Sequence, residues 1–176
     1  MSLSPKLKQG FLREAGLSAR MTRFLINLWP PFIGAGIRVE RIADDWTSAQ
    51  VRMTLRFYNR NIFGTHFGGS LFAMTDPFFA LLIMHRLGTG YVVWDRSSHI
   101  DYKLPAKGTV RARFEMPGTA VEAARQHTAA DQKYEPVFKV DIVDQQGQVV
   151  ATVSKTLYIR RKPQAPRAPA AANPDA

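Results

Sequence analysis

Asp76 is the only ionisable side chain between His66 and His85, in the most apolar stretch of the chain. A carboxylate among apolar residues is either satisfied by local partners or has its pKa displaced by desolvation. Displaced carboxylates in clefts are candidates for general bases. Gly68-Gly69 is the second chemical feature. Glycines that open a helix leave free N–H groups to receive an anion or oxyanion, and their missing side chains let a carbonyl come close. Asp76 follows Gly69 by seven residues. In a helix that is about two turns, so the carboxylate lies on roughly the same face as the N-terminal donors.

Asp76-Pro77 has a second reading as a helix N-cap and first helical residue. The segment before it is then separate. A third arrangement is one helix from near Gly68, kinked at Pro77, with bared carbonyls beside Asp76. The pattern of residues leaves these open. The four histidines, His66, His85, His99 and His127, have no metal-ligand spacing. His66 adjoins the glycines and either supports the site or is a plain loop residue. His85 reads as a contact at a helix C-terminus. No nucleophile elbow, P-loop or dinucleotide fingerprint occurs.

Composition bounds what these residues can serve. The chain has 176 residues, 45 % apolar and 22 % charged, which suits one domain with one core. It has no cysteine, so disulfides and Cys-ligated zinc are excluded. The net charge of +10 fits nucleic acid, an anionic membrane surface or a phosphorylated ligand, and equally a soluble surface with a basic tail. The aromatics are not interleaved with Arg and Lys, which argues against nucleic acid. Met1 to Gly10 lacks the apolar run of a signal peptide. Phe78 to Met84 is too short to span a bilayer. A cytoplasmic protein with no transmembrane segment is expected.

The elements that position these residues follow from periodicity. Leu17, Met21, Phe24, Leu25 and Leu28 make a helical face that Ser18 can cap and Trp29-Pro30-Pro31 stops. Arg and Lys line its other side. That helix reads as an arm packed on the domain or a neighbouring subunit, with a membrane-surface helix as the alternative. Gly36 to Ile42 is a strand. Ala49 to Phe57 alternates strictly and is a half-buried antiparallel strand. Tyr58 to Thr65 is a loop. Ser70 to Met84 is apolar on every side, so as a helix it must be surrounded by protein. Strands resume over Tyr91–Leu104, Val110–Met116, Phe138–Ile142 and Ala151–Ile159, with a short helix over Thr119–Ala130.

One-sided strands need something to cover, and one helix needs cover all round. Curling the sheet around the helix satisfies both. The expected fold is therefore α+β: a hotdog fold, an antiparallel sheet of about five to six strands wrapped around one central helix. Residues 1–33 form a helical arm, 34–161 the hotdog domain and 162–176 a disordered Pro- and Ala-rich tail. Such a sheet has edges, and pairing edges between two copies protects them. A homodimer, with a dimer of dimers as a further option, is expected.

The run Asn61-Ile62-Phe63-Gly64-Thr65-His66-Phe67-Gly68-Gly69 through Asp76 resembles the hotdog-fold acyl-CoA thioesterase superfamily. It is most similar to the branch holding phenylacetate-pathway thioesterases and a bacterial group known only as a domain of unknown function. A later likeness is Ile100-Asp101-Tyr102-Lys103-Leu104-Pro105-Ala106-Lys107-Gly108. Two departures stand out. Phe67 occupies the family's His position, with His66 one place early. Asp95 stands where some members carry Ser or Thr.

The resemblance implies a thioester hydrolase acting at a dimer interface. The Gly69 N–H, beside Gly68, would polarise the thioester carbonyl. Asp76 would activate water or attack directly, and Asn61, from the opposite subunit, would position water or carbonyl. His66 and Phe67 would border the substrate, and Arg60 would meet the phosphates of coenzyme A. No metal and no cofactor are implied beyond coenzyme A as part of the substrate. The alternative is a non-catalytic acyl-CoA or lipid binder, to which the Phe67 departure and the apolar Phe72, Met74, Phe78 and Phe79 are suited. A hotdog dehydratase ranks below both, because its His-to-acid spacing is absent.

Overall fold

Alternating apolar and polar residues become strands in the computed structural model, which describes residues 16–130 and 132–163. In chain order the elements are α1 (Ala19–Asn27), α2 (Pro30–Ala35), β1 (Ile37–Ile42), β2 (Ser48–Thr54), α3 (Gly68–Ala73) and α4 (Phe78–Leu87). They continue with β3 (Tyr91–Tyr102), β4 (Thr109–Glu115), α5 (Gly118–His127), β5 (Lys133–Tyr134), β6 (Val137–Val143) and β7 (Val149–Arg161). All pairings are antiparallel, in the order β1-β2-β4-β6-β7-β3, with β5 beside β7. The sheet has seven strands rather than five to six. The extra one, β5, has only two residues, too few for any period to mark.

Ser18 caps α1, its Oγ accepting from the Met21 N–H at 3.3 Å. The Pro30-Pro31 pair, expected only to stop that helix, also opens α2, where missing N–H groups leave no bond unmade. Gly36 ends α2 with φ 72°, a left-handed position suited to glycine. The expected helix before Leu17 and the tail beyond Pro163 lie outside the described residues.

The central helix is α4, and the glycine-led segment before it is a short helix of its own. The apolar run forms two helices, α3 and α4, separated by Met74–Pro77, with a cis Asp76–Pro77 peptide bond. Asp76 does not cap α4: Pro77 holds the cap position and no side chain bonds there. Proline ends the α3 path because it lacks the N–H that a continuing helix needs.

The core lies between α4 and the inner face of the sheet. Phe78, Phe79, Leu82 and Ile83 are buried on α4, with Val51, Met53, Val110, Phe114, Ile142, Val153, Leu157 and Ile159 from the strands. The Phe114 ring lies 4.9 Å from Phe78 and 5.1 Å from Phe79. Each such side chain stabilises the fold by roughly 1.5–3 kcal/mol through its removal from water. His85, in the last turn of α4, stacks on Trp46 at 3.5 Å.

The sheet's two edges differ. At β1 the Asn27 side chain pairs with Val39 as another strand would, donating to its carbonyl at 3.0 Å and accepting from its N–H at 2.8 Å. Arg23 donates to the Glu40 carbonyl at 2.9 Å. The expected arm thus closes this edge, and Ala19, Ile26 and Phe32 join the core. At the other end β3, with 12 residues, pairs among the described residues only with β7. Among the described residues no helix is long and apolar enough to cross a membrane.

Candidate active site

The break between α3 and α4 leaves Asp76 in a turn on the core side of β7, with its side chain 54 % exposed. Lys155 of β7 lies beneath it, only 3 % exposed, with Nζ 3.3 Å from Asp76 Oδ1. The same Nζ donates to Asp95 Oδ2 on β3. Two carboxylates therefore share one buried ammonium. Asp95 Oδ1 is buried, with no hydrogen-bond partner among the described residues. Burial pushes the Asp95 carboxyl up from its ordinary value and Asp76 adds to this, while Lys155 opposes it.

Asp76 is a candidate from the sequence, and Lys155 is not among those candidates. The signal was present: Ala151, Val153, Leu157 and Ile159 face inward on β7, and Lys155 shares their phase. A lysine on the inward phase of a buried strand needs a partner. Asp95, set aside as a departure from the family pattern, is one of its two.

A second group surrounds the loop from Tyr58 to Phe67. The Asn61 Nδ2 donates to Thr65 Oγ1 at 2.9 Å and to the His66 carbonyl at 3.3 Å. Its Oδ1 accepts from the N–H groups of Phe63, at 2.9 Å, and Thr65, at 3.1 Å. The whole amide is thus used in shaping the loop. His66 is 2 % exposed, its Nε2 3.0 Å from the Gly108 carbonyl and its Nδ1 without a partner. Burial lowers its pKa, against the opposing effect of that carbonyl. This is a buried, neutral, loop-anchoring histidine.

Asn61, His66 and Gly68 line one cavity of ≈ 440 Å³ with Phe63, Tyr102 and Leu104. Tyr102 donates its hydroxyl to the Gly68 carbonyl at 2.9 Å, and a Cβ on Gly68 would meet that oxygen at 2.9 Å. A Cβ on Gly69 would meet the Phe67 ring at 2.5 Å. Both glycines open α3, where the first N–H groups have no partner within the helix. Phe67 and Arg60 are exposed beside the loop. Asp76 and Gly69 are not among the residues lining this cavity. Of the expected residues, Asn61, His66 and Gly68 thus share one cavity; Arg60, Phe67 and Gly69 are outside its lining, and Asp76 stands apart with Lys155 and Asp95. Among the described residues no group of His, Cys, Asp or Glu could hold a metal ion.

An antiparallel sheet against a central helical segment, with glycines at that segment's start and an acid at its break, is the hotdog fold. The chain belongs to the family described as Domain of unknown function (DUF4442), whose pattern matches residues 18–159. It is similar in structure to a Pseudomonas aeruginosa protein of unknown function described as a probable thioesterase. The two are 19 % identical with a TM-score of 0.73, over 83 % of this chain and 97 % of that one. A Haemophilus influenzae thioesterase is 15 % identical with a TM-score of 0.60, over 82 % and 92 %. The Escherichia coli PaaI protein from the phenylacetic acid degradation operon is 20 % identical with a TM-score of 0.55, over 82 % and 92 %. No curated protein matches the sequence significantly.

Proposed function

We propose that the protein hydrolyses a small-molecule thioester of the acyl-CoA class, with Asp76 as the base. The observation that carries this reading is a half-exposed carboxylate held from below by a buried lysine. Asp76 takes a proton from water as the water oxygen attacks the thioester carbonyl carbon. The carbonyl oxygen, gaining negative charge, is received by the Gly68 and Gly69 amides at the start of α3. The C–S bond then breaks, and the thiolate takes up the proton from Asp76. Lys155 acts as a positioning residue: its bonds to Asp76 and Asp95 fix the base and balance its charge. Arg60, exposed in the loop, meets the phosphates of coenzyme A in this reading.

Asp76 is not part of the lining of the loop cavity. A second copy paired along the β3 edge completes the site in this reading, one chain offering Asn61 and Gly68 and the other Asp76. Asn61 then serves by shaping the loop, since its amide is already engaged.

Free thiol release from short, medium, long and aryl acyl-CoAs tests the proposal beside the Asp76→Asn variant. Turnover in the wild type alone supports it. A second reading, a non-catalytic acyl-CoA or lipid binder, is favoured by the exposed Phe67 in the usual histidine position and by the occupied Asn61 amide. Acyl-CoA binding with no thiol release by the folded wild type selects that reading.

A further inference from the structure

The outer face of β1, β2 and β4 carries a row of arginines. Arg38 stands opposite Arg52, and Arg52 opposite Arg111. Their neighbours Val39, Val51 and Val110 are buried, so by the alternation of a strand the guanidinium groups point away from the core. Arg23 of α1 and Arg56 beyond β2 line the same groove, of ≈ 750 Å³. Among the described residues Glu40 is its only carboxylate, 3.2 Å from Arg52 and 3.1 Å from Arg111. Like charges directly opposed across strands repel. One glutamate against five arginines leaves a strong positive surplus.

An apolar crown adjoins the groove. On α1 the buried residues are Ala19, Thr22 and Ile26. Met21, Phe24 and Leu28, spaced as one helical face, are 47 %, 57 % and 54 % exposed. Trp29 and Ile33 extend the crown at 45 % and 55 %. The helix thus buries its smaller side chains and presents its larger apolar ones outward, the mark of an interaction surface.

Charge complementarity selects the occupant. A second copy of this chain, related by a twofold axis, would set arginine row against arginine row. Residues 1–15 carry Lys6, Lys8 and Arg13 against Glu14 and would add positive charge. Nucleic acid phosphates would suit the groove and leave the apolar crown uncovered. We propose that this face docks on an anionic phospholipid surface. The crown enters the interface with Trp29 at its edge, and the arginines take the headgroup phosphates. Asp76 lies on the core side of the sheet, so docking leaves it open. The inference does not rest on the thioesterase reading.

The test is co-sedimentation of the full chain with vesicles of phosphatidylcholine alone or with about 30 % phosphatidylglycerol, at low and high salt. Binding is expected at least about tenfold stronger to the anionic vesicles and weakened by salt. The pair Arg38→Glu and Arg56→Glu, and separately Phe24→Ser with Leu28→Ser, should each lower binding about tenfold. All four residues are exposed, so thermal unfolding should be unchanged. Equal binding to both vesicles, or variants that bind as the wild type does, overturns the proposal. So does binding of inorganic phosphate or coenzyme A without vesicle binding. Self-association abolished by the serine pair, with no vesicle binding, overturns it in favour of a contact between copies.

Discussion

Asp76 and Asp95 share Lys155 on the core side of the sheet, near its β3 edge, whereas five arginines surround Glu40 on the outer face at the β1 end. Each cluster gathers a surplus of one sign, and solvent makes them differ. Lys155 is 3 % exposed, so each carboxylate it loses leaves a charge with little water to replace it. Arg52 and Arg111 are 38 % and 42 % exposed, and screening by water and salt softens their repulsion. Charge near the core is therefore coupled to stability and protonation. Charge on the outer face is free to serve association.

The comparison breaks most visibly at Lys155. Lys155→Met should destabilise the protein by about 3 kcal/mol in urea unfolding, because two carboxylates lose the buried cation they share. Adding Asp95→Asn should restore a large part of that. A loss under about 0.5 kcal/mol in the single variant would mean that the buried cluster behaves like a surface one.

The variant should also respond to pH. Burial raises the Asp95 carboxyl, so its protonated form is favoured by folding. Its contribution is full below the ordinary value of 3.8 and is lost as pH rises through the raised one. Lys155 limits that loss. The penalty of Lys155→Met should therefore grow between about pH 4 and pH 7.

Asp76→Asn separates chemistry from stability. Thiol release should fall by about 10²–10⁴, while unfolding shifts by less than about 1 kcal/mol, because the side chain is 54 % exposed. Equal losses in both would assign Asp76 to the fold.

His66 sharpens the core side of the contrast. Its lowered pKa means that the neutral ring is favoured by folding. The sign is then fixed: this contribution is present above the ordinary 6.5 and is lost as pH falls through the lowered value. Thermal melts should drop below about pH 6.5, and His66→Gln should flatten that slope. The smallest effect belongs to the outer face. Arg38→Glu alone should change stability by no more than about 0.5 kcal/mol, and toward greater stability, since it relieves the row.

Legibility in the sequence followed the range of each interaction. The alternation at Ala49–Phe57 and Val110–Met116 depends only on neighbours two residues apart, and strands form there, although β2 stops at Thr54 and leaves Phe57 exposed, and β4 stops at Glu115. The break at Asp76-Pro77 was visible as a proline, but three arrangements fitted it. The choice depended on how α3 and α4 meet the sheet. Asn61 was chosen by likeness to other proteins, and only the folded loop revealed its amide to be occupied.

By itself the sequence determined which residues must be buried and that an apolar segment needed a sheet around it, because periodicity and desolvation act on every residue wherever it ends up. It also isolated Asp76 as a carboxylate in apolar company. Only the tertiary structure decided what that carboxylate meets. Lys155 lies 79 positions away in the chain and Asp95 a further strand apart, joined by the pairing of β3 with β7. The arginine row arose in the same way, since Arg38, Arg52 and Arg111 become neighbours only through strand register. Register is set by the packing of a whole face, a property that no single stretch of sequence carries.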